Sequence, residues 1–477
     1  MIGPPDIPVR NLFLSVNFYS LYEIFSSSYS IYRAPDTPLR FLFFIFSIIF
    51  FIFSIFRKPY SKKQPILIKT IIPLMIFLFI LTLLITNGLY NYFGMALVLL
   101  SFYYSLLYSE NNLSGFEKLF LLSYLIMFLL PFWSSMIHPT SLAEIDNYVR
   151  FLLVIPVYLT LRDINIPFNK FINVVNISSL LIGVFSLYCL LVLGESRVRG
   201  FTSSAIIFGN ISLLFSLFSY LSISSYTKKN IMFPIIASGA SFFAWASTGS
   251  RGSVIFIFVF ILLLFTKNFR ETIKIPKNII LYTLLLFSSV ILVNPSVIER
   301  FSNAYDSTYN YMIDGSPHHW KHSDSIVPRV NIWKGSMLMI EENFITGIGL
   351  NNFNESLGQK IKIGKIQPIR AASNNLTDGQ NHAHNQFLDI FAKTGLFGFL
   401  SLIFFMMIHL YFFYRSYNLS HNNIETKYLS LFGVISVVGY IFYMSTNSIL
   451  SHQLSTLFMI LLFIILSGMI TNRLEKP

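Results

Sequence analysis

VPRVNIWKGSMLMIEENFITGIGLNNF (327–353) and NHAHNQFLDIFAKTGLFG (381–398) lie within residues 294–395, the one long polar interval of the chain. Elsewhere apolar blocks alternate with short basic connectors. The interval therefore divides the sequence into N-terminal membrane helices (1–293), a large loop carrying the chemical motifs (294–395) and C-terminal membrane helices (396–477). Pro328 suits the first turn of a helix running through RVNIWKGSMLMIEE, on which Arg329, Trp333, Met337 and Ile340 share a face. Asn343, Gly347 and Gly349 end that helix. A second helix is predicted to begin near His382, with His384, Phe387, Leu388 and Phe391 on one face and Gly395 as its stop.

Composition sets the class. Of 477 residues, 54% are hydrophobic and 12% charged, about half the charged fraction of an ordinary soluble domain. Mean hydropathy is +0.63. The 51 Phe and 26 Tyr suit hydrocarbon and its interface. These features predict an all-α, polytopic integral membrane protein. Apolar blocks at about 41–56, 66–86, 89–108, 117–136, 148–161, 171–193, 206–225, 231–247, 253–266, 279–293, 396–414, 428–447 and 454–470 give thirteen spans, or fourteen if 11–32 also crosses. Because a crossing helix needs about 20 residues, 148–161, 253–266 and 279–293 should extend into their flanks. The single cysteine, Cys189, allows no intrachain disulfide. The N-terminus does not read as a cleavable signal peptide.

The connectors orient the helices. RKPYSKKQP (57–65), Lys118, RDINIPFNK (162–170), TKKN (227–230), KNFRETIKIPK (267–277), RSYNLSHNNIETK (415–427), the tail and Arg10 alternate onto one side and hold 18 of the 34 Lys and Arg. The opposite short connectors hold six: Arg33, Arg40, Arg150, Arg197, Arg199 and Arg251. The positive-inside rule puts the basic set in the cytoplasm and the large loop in the periplasm. The charge of +13 thus reads as topology and not as a nucleic-acid surface.

Arginine on the outer side runs against that bias. GESRVRGFTSS (194–204) carries Arg197 and Arg199, TGSRGS (248–253) carries Arg251, and the loop adds Arg329. Headgroup snorkelling is one reading. Bidentate binding of phosphate oxygens is the other. His384, at a helix start, is disfavoured as the imidazolium and able to accept a proton; a capping or packing role is the alternative. Neither HAH (382–384) nor His318–His319 comes with acidic ligands, so no metal or other cofactor is expected.

RGFTSSAIIFGN, STGSRGS, and then a long loop with PRVNIWKG, ITGIGLNNF and HNQFLDIFAKTGLFG resemble the O-antigen ligase superfamily across about residues 195–400. That resemblance implies a metal-independent glycosyltransferase of the bacterial inner membrane with its active site facing the periplasm. Its donor would be an undecaprenyl-diphosphate-linked glycan and its acceptor a hydroxyl of lipid A–core or of another glycan. It implies Arg199, Arg251 and Arg329 as diphosphate ligands, with Arg197 able to replace Arg199, and His384 as the catalytic base. Without a carboxylate pair, a single inverting displacement is favoured. Ligase and polymerase share this chemistry and differ in acceptor. A transporter on the same helical frame is a third reading. It would need ionisable or broken-helix sites near the midplane, where this sequence is nearly free of charge.

Overall fold

The computed structural model describes residues 66–109, 113–138, 142–227, 229–250, 252–264, 302, 326–369, 375–420 and 423–475. The expected spans 11–32, 41–56 and 279–293, together with Arg251, lie outside them. Among the described residues every regular element is helical. In order these are α1 (Ile66–Thr82), α2 (Leu89–Tyr108), α3 (Gly115–Ile137), α4 (Leu142–Leu153), α5 (Ile155–Asp163), α6 (Phe168–Leu191) and α7 (Ala205–Ser222). Then come α8 (Met232–Ser247), α9 (Val254–Leu264), α10 (Ile326–Glu342), α11 (Phe353–Lys362), α12 (Gln386–Leu419), α13 (Ile424–Thr446) and α14 (Gln453–Glu475). Seven helices among the described residues are long and apolar enough to cross a membrane. The chain is a polytopic, all-α membrane protein.

Local signals place the helix starts. Ser114 and Glu117 form a reciprocal capping box on α3: Glu117 N donates to Ser114 Oγ at 3.3 Å and Ser114 N to Glu117 Oε2 at 2.9 Å. The short apolar block at 148–161 does extend into its flanks, as two helices broken at Val154, with Pro156 in the first turn of α5. The helices α7 and α14 are buried almost all round, as helices apolar on every side should be. Around them α8 packs on α6 and α7, while α12 lies between α3 and α13. Where α6 meets α8 a Cβ at Gly183 would fall 2.6 Å from that of Ala240, the close approach that small residues permit between membrane helices.

Cross-element hydrogen bonds separate the two ends of the bundle. At one end Arg162 pairs with Glu117, Arg473 with Glu425, and Ser224 Oγ lies 2.5 Å from Tyr428 Oη. At the other, Arg150 Nη1 reaches Gln453 O, Gln453 Nε2 reaches Asn91 Oδ1, and Ser203 Oγ reaches His452. The second end carries the described part of the large loop, and connectors fall on the two ends alternately, as the charge pattern requires. We call these the basic end and the loop end.

The loop folds on a small core of its own. Ile332, Met339, Leu357, Ile361, Ile366 and Ala383 belong to this cluster, separate from the main one. The buried side of α10 includes Ile332, Ser336 and Met339, whereas Met337 is exposed. Of the predicted stripe, Ile340 is buried in this cluster, Arg329 and Trp333 are half-buried and Met337 is exposed, so the packed face is rotated from it.

Candidate active site at the loop end

Two glycines join the loop to the membrane. Gly395 interrupts α12 with φ 69° and ψ −163°, and the helix restarts at once. A side chain there would strike the Ile345 carbonyl. The break frees main-chain carbonyls, and the ITGIG segment takes them: Ile348 N donates to Ala392 O and Gly349 N to Lys393 O, each at 2.9 Å. Leu396 N donates to Phe344 O at 2.9 Å on the far side of the break. Gly347, φ 69°, lets the two backbones approach, and its carbonyl lies 2.9 Å from His138 Nε2 at the end of α3. The expected helix stop at Gly395 is thus a stop and an immediate restart.

The helix after the histidines begins later than periodicity suggests. Asn385 is its cap, its side chain accepting from Phe387 N and Leu388 N at 3.0 and 3.2 Å. His384 therefore precedes the helix and does not share a stripe with Phe387, Leu388 and Phe391. Its φ of 50° is left-handed, uncommon for a side chain of this size and costing on the order of 1 kcal/mol. Ala383 fixes the turn from both sides: its N–H donates to Asp389 Oδ1 at 2.9 Å, and its carbonyl accepts from Trp333 Nε1 at 3.0 Å. Trp333 and Asp389 thereby anchor the residue between His382 and His384.

The imidazoles themselves form a cluster. The rings of His382 and His384 are 4.4 Å apart and nearly perpendicular; that of His452 lies 6.0 Å from His382. His384 Nε2 sits 3.0 Å from Gln380 Oε1, which can only accept, so this tautomer carries its proton on Nε2 and its lone pair on Nδ1. That Nδ1 is buried and makes no hydrogen bond. The Asn447 side chain acts on it to favour protonation, although its geometry falls short of a hydrogen bond. Burial, then the neighbouring His382 and Arg329, push the His384 pKa down to about 3. Burial and His382 lower that of His452 to about 4. Burial also lowers His382. All three imidazoles are neutral at pH 7, so each offers one N–H and one lone pair.

The arginines separate into two kinds. Arg197 is half-buried and its Nε donates to Thr248 O at 2.7 Å, while Val198 N donates to Ser247 O at 3.1 Å. It fastens the 195–204 connector to the turn that carries Arg251. Arg199 is exposed, on a connector closed by Thr202, whose N–H and hydroxyl both donate to Arg199 O. Arg329, in the first turn of α10, is close enough to lower both His382 and His384. The flank of Arg251 packs on the end of α13, where a Cβ at Gly252 would fall 2.5 Å from Thr446 Oγ1. His384, Arg329 and the Arg197–Arg199 connector therefore converge at the loop end. The sequence reading passed over Gln380, Ser203 and His452. The side of the bundle on which His452 falls was legible from helix alternation, but its neighbours were not.

Residues 236–403, from within α8 to within α12, match the model of the O-antigen ligase family. This stretch is similar to an O-antigen ligase domain. It contains the Arg251 turn, the loop helices, the glycine clasp and the histidine pair. The chain is also 27% identical over 394 residues to an uncharacterized protein of Haemophilus influenzae, an alignment spanning 81% of this chain and 95% of that one. O-antigen ligase domains belong to membrane glycosyltransferases of ligase or polymerase type, enzymes of the bacterial inner membrane that act on lipid-linked glycans. His452 falls beyond the matched O-antigen ligase domain, in the helices that follow it.

Proposed function

We propose that this protein transfers a glycan from undecaprenyl diphosphate to an acceptor hydroxyl on the periplasmic face, and that it is an O-antigen ligase acting on lipid A–core. The observation that carries this reading is His384: a strained, left-handed imidazole with a buried lone pair on Nδ1, beside Arg329. In the reaction His384 takes the acceptor proton as the acceptor oxygen attacks the anomeric carbon. The bond from that carbon to the phosphate oxygen breaks, and its electron pair leaves with undecaprenyl diphosphate. The displacement inverts the anomeric centre in one step. Arg199, Arg251 and Arg329 stabilise the charge that develops on the departing diphosphate, with Arg197 holding their turn together.

A base held at about 3 is weak when free. Donor binding offsets this. The diphosphate neutralises the positive field of Arg329 and places negative charge near His384, so the imidazolium becomes easier to form. The donor thus prepares the base, and the arginines serve both the leaving group and the proton transfer. No metal enters this scheme. Among the described residues no three His, Cys, Asp or Glu side chains come together as a metal site.

Lipopolysaccharide banding in a deletion strain tests the acceptor. Core alone, with polymer accumulating on the lipid carrier, is the result expected of a ligase. Core bearing a single repeat unit would make the enzyme a polymerase, with the same donor and base.

A further inference from the structure

Ser203 and His452 meet across the site from two regions about 250 residues apart in the chain. His452 is pinned by its backbone: its N–H donates to Ile449 O at 3.1 Å, and its carbonyl caps α14 by accepting from Thr456 N and Thr456 Oγ1, each at 3.0 Å. Its Nδ1 lies 3.3 Å from Ser203 Oγ. Ser203 follows Arg199 by four residues, on the turn that Thr202 closes onto the Arg199 carbonyl. Contacts therefore run from the connector of Arg199 through Ser203 to His452, and from His452 to His382 and His384. The pair stands between the connector that carries Arg199 and the histidine assigned to the acceptor proton, with Arg329 on the histidine side. The part of the reacting system that lies next to both the departing phosphate and the proton acceptor is the ring whose anomeric carbon changes partners.

We propose that Ser203 and His452 bind the sugar directly attached to the donor's diphosphate, through hydrogen bonds to its ring substituents. This rests on the glycosyltransferase reading above and adds a specificity site to it. The chemistry of the pair fits a neutral polyol. A hydroxyl and an uncharged imidazole present donors and acceptors together, which suits hydroxyl or acetamido groups, whereas phosphate recognition would call for a fixed cation.

The test uses purified full-length protein in lipid nanodiscs and two synthetic polyprenyl-diphosphate donors, one intact and one deoxygenated on the proximal sugar. Ser203→Ala and His452→Ala should each raise the KM for the intact donor roughly three- to tenfold, with a smaller change in kcat. His452→Gln, which keeps neutral hydrogen bonding, should recover much of that loss and leave the pH profile unmoved. The wild type should discriminate between the donors, and the Ser203→Ala/His452→Ala double variant should not. Equal penalties on both donors, an effect confined to the acceptor KM, or loss of the acid limb of the pH profile would each overturn the proposal. A variant with poor membrane yield is replaced by the Gln form, which tests the same contact. Wild-type protein that transfers from neither donor would instead remove the glycosyltransferase reading. Wild-type KM in both single variants would remove the sugar site alone.

Discussion

The two ends of this bundle treat charge in opposite ways. At the basic end Arg162 and Glu117 are both buried and pair at 2.9 Å, Tyr158 donates to the same carboxylate at 2.8 Å, and Asn472 donates to the Arg162 carbonyl. Arg473 pairs with Glu425 and also donates to Ile166 O. Cations there face carboxylates. At the loop end His384 and His452 meet neutral partners, Gln380 and Ser203; Asp389, paired with Lys393, favours a proton on His382, while Arg329 lies near enough to repel one from His382 and His384. Buried polar atoms of His382, His384, Ser250, Asn447 and Ser448 make no hydrogen bond. An end whose charges are matched holds helices together. At the loop end buried lone pairs gather around the histidines, where a ligand can complete them.

Exchanging the two kinds of residue breaks the comparison most sharply at His384. Replacing His384 by Ala should lower transfer by roughly two to four orders of magnitude in protein that is folded and inserted normally. His382→Ala should keep substantial activity, and the reverse pattern would transfer the base to His382. Glu117→Ala should do the opposite of His384→Ala. It removes the carboxylate that faces the buried Arg162, destabilising the fold by ~3–5 kcal/mol in thermal unfolding while activity per folded molecule is retained. Arg329→Lys should reduce transfer roughly ten- to hundredfold, nearly as far as Arg329→Ala, because an ammonium cannot fork onto two phosphate oxygens. Full activity of the Lys variant would reduce Arg329 to a point charge.

The pH profile sharpens the contrast further. The neutral imidazole is the active form, so activity is present above its pKa and lost below it. With the His384 pKa at about 3, kcat/KM should stay flat as pH falls through 6.5, and the limb in kcat should lie higher because bound diphosphate raises the pKa. A kcat/KM limb near 6.5 would mean that the free site is wet and unrepelled. Chelation should have the smallest effect: EDTA treatment is expected to leave turnover unchanged, and loss restored by Mg²⁺ would remove the metal-free scheme.

Much of this arrangement could be read from residues in sequence, and the remainder could not for identifiable reasons. The spans followed from apolar length, and their alternation from the basic connectors. Pro328 and Gly395 marked a helix start and a break because each restricts or frees the backbone locally. The start of α12 was misplaced because helical periodicity outweighed the Asn385 cap, which puts the first helical residue at Gln386, two residues after His384. Arg197 and Arg199 looked equivalent, yet tertiary contact gives Arg197 a backbone carbonyl to hold and leaves Arg199 exposed. The meeting of His452 with Ser203 has no local signature, since it depends on how α7 and α14 are placed together.

The main-chain clasp at Gly395 sets a height. Three backbone hydrogen bonds tie residues 344–349 to a helix that continues into the bilayer, and they depend on the glycines at 347 and 395 more than on any side chain. The distance from the histidines to the hydrocarbon surface is therefore written into the backbone, while the loop beyond the clasp is free to diverge. Selection can retune the loop beyond the clasp without moving the altitude of the histidines.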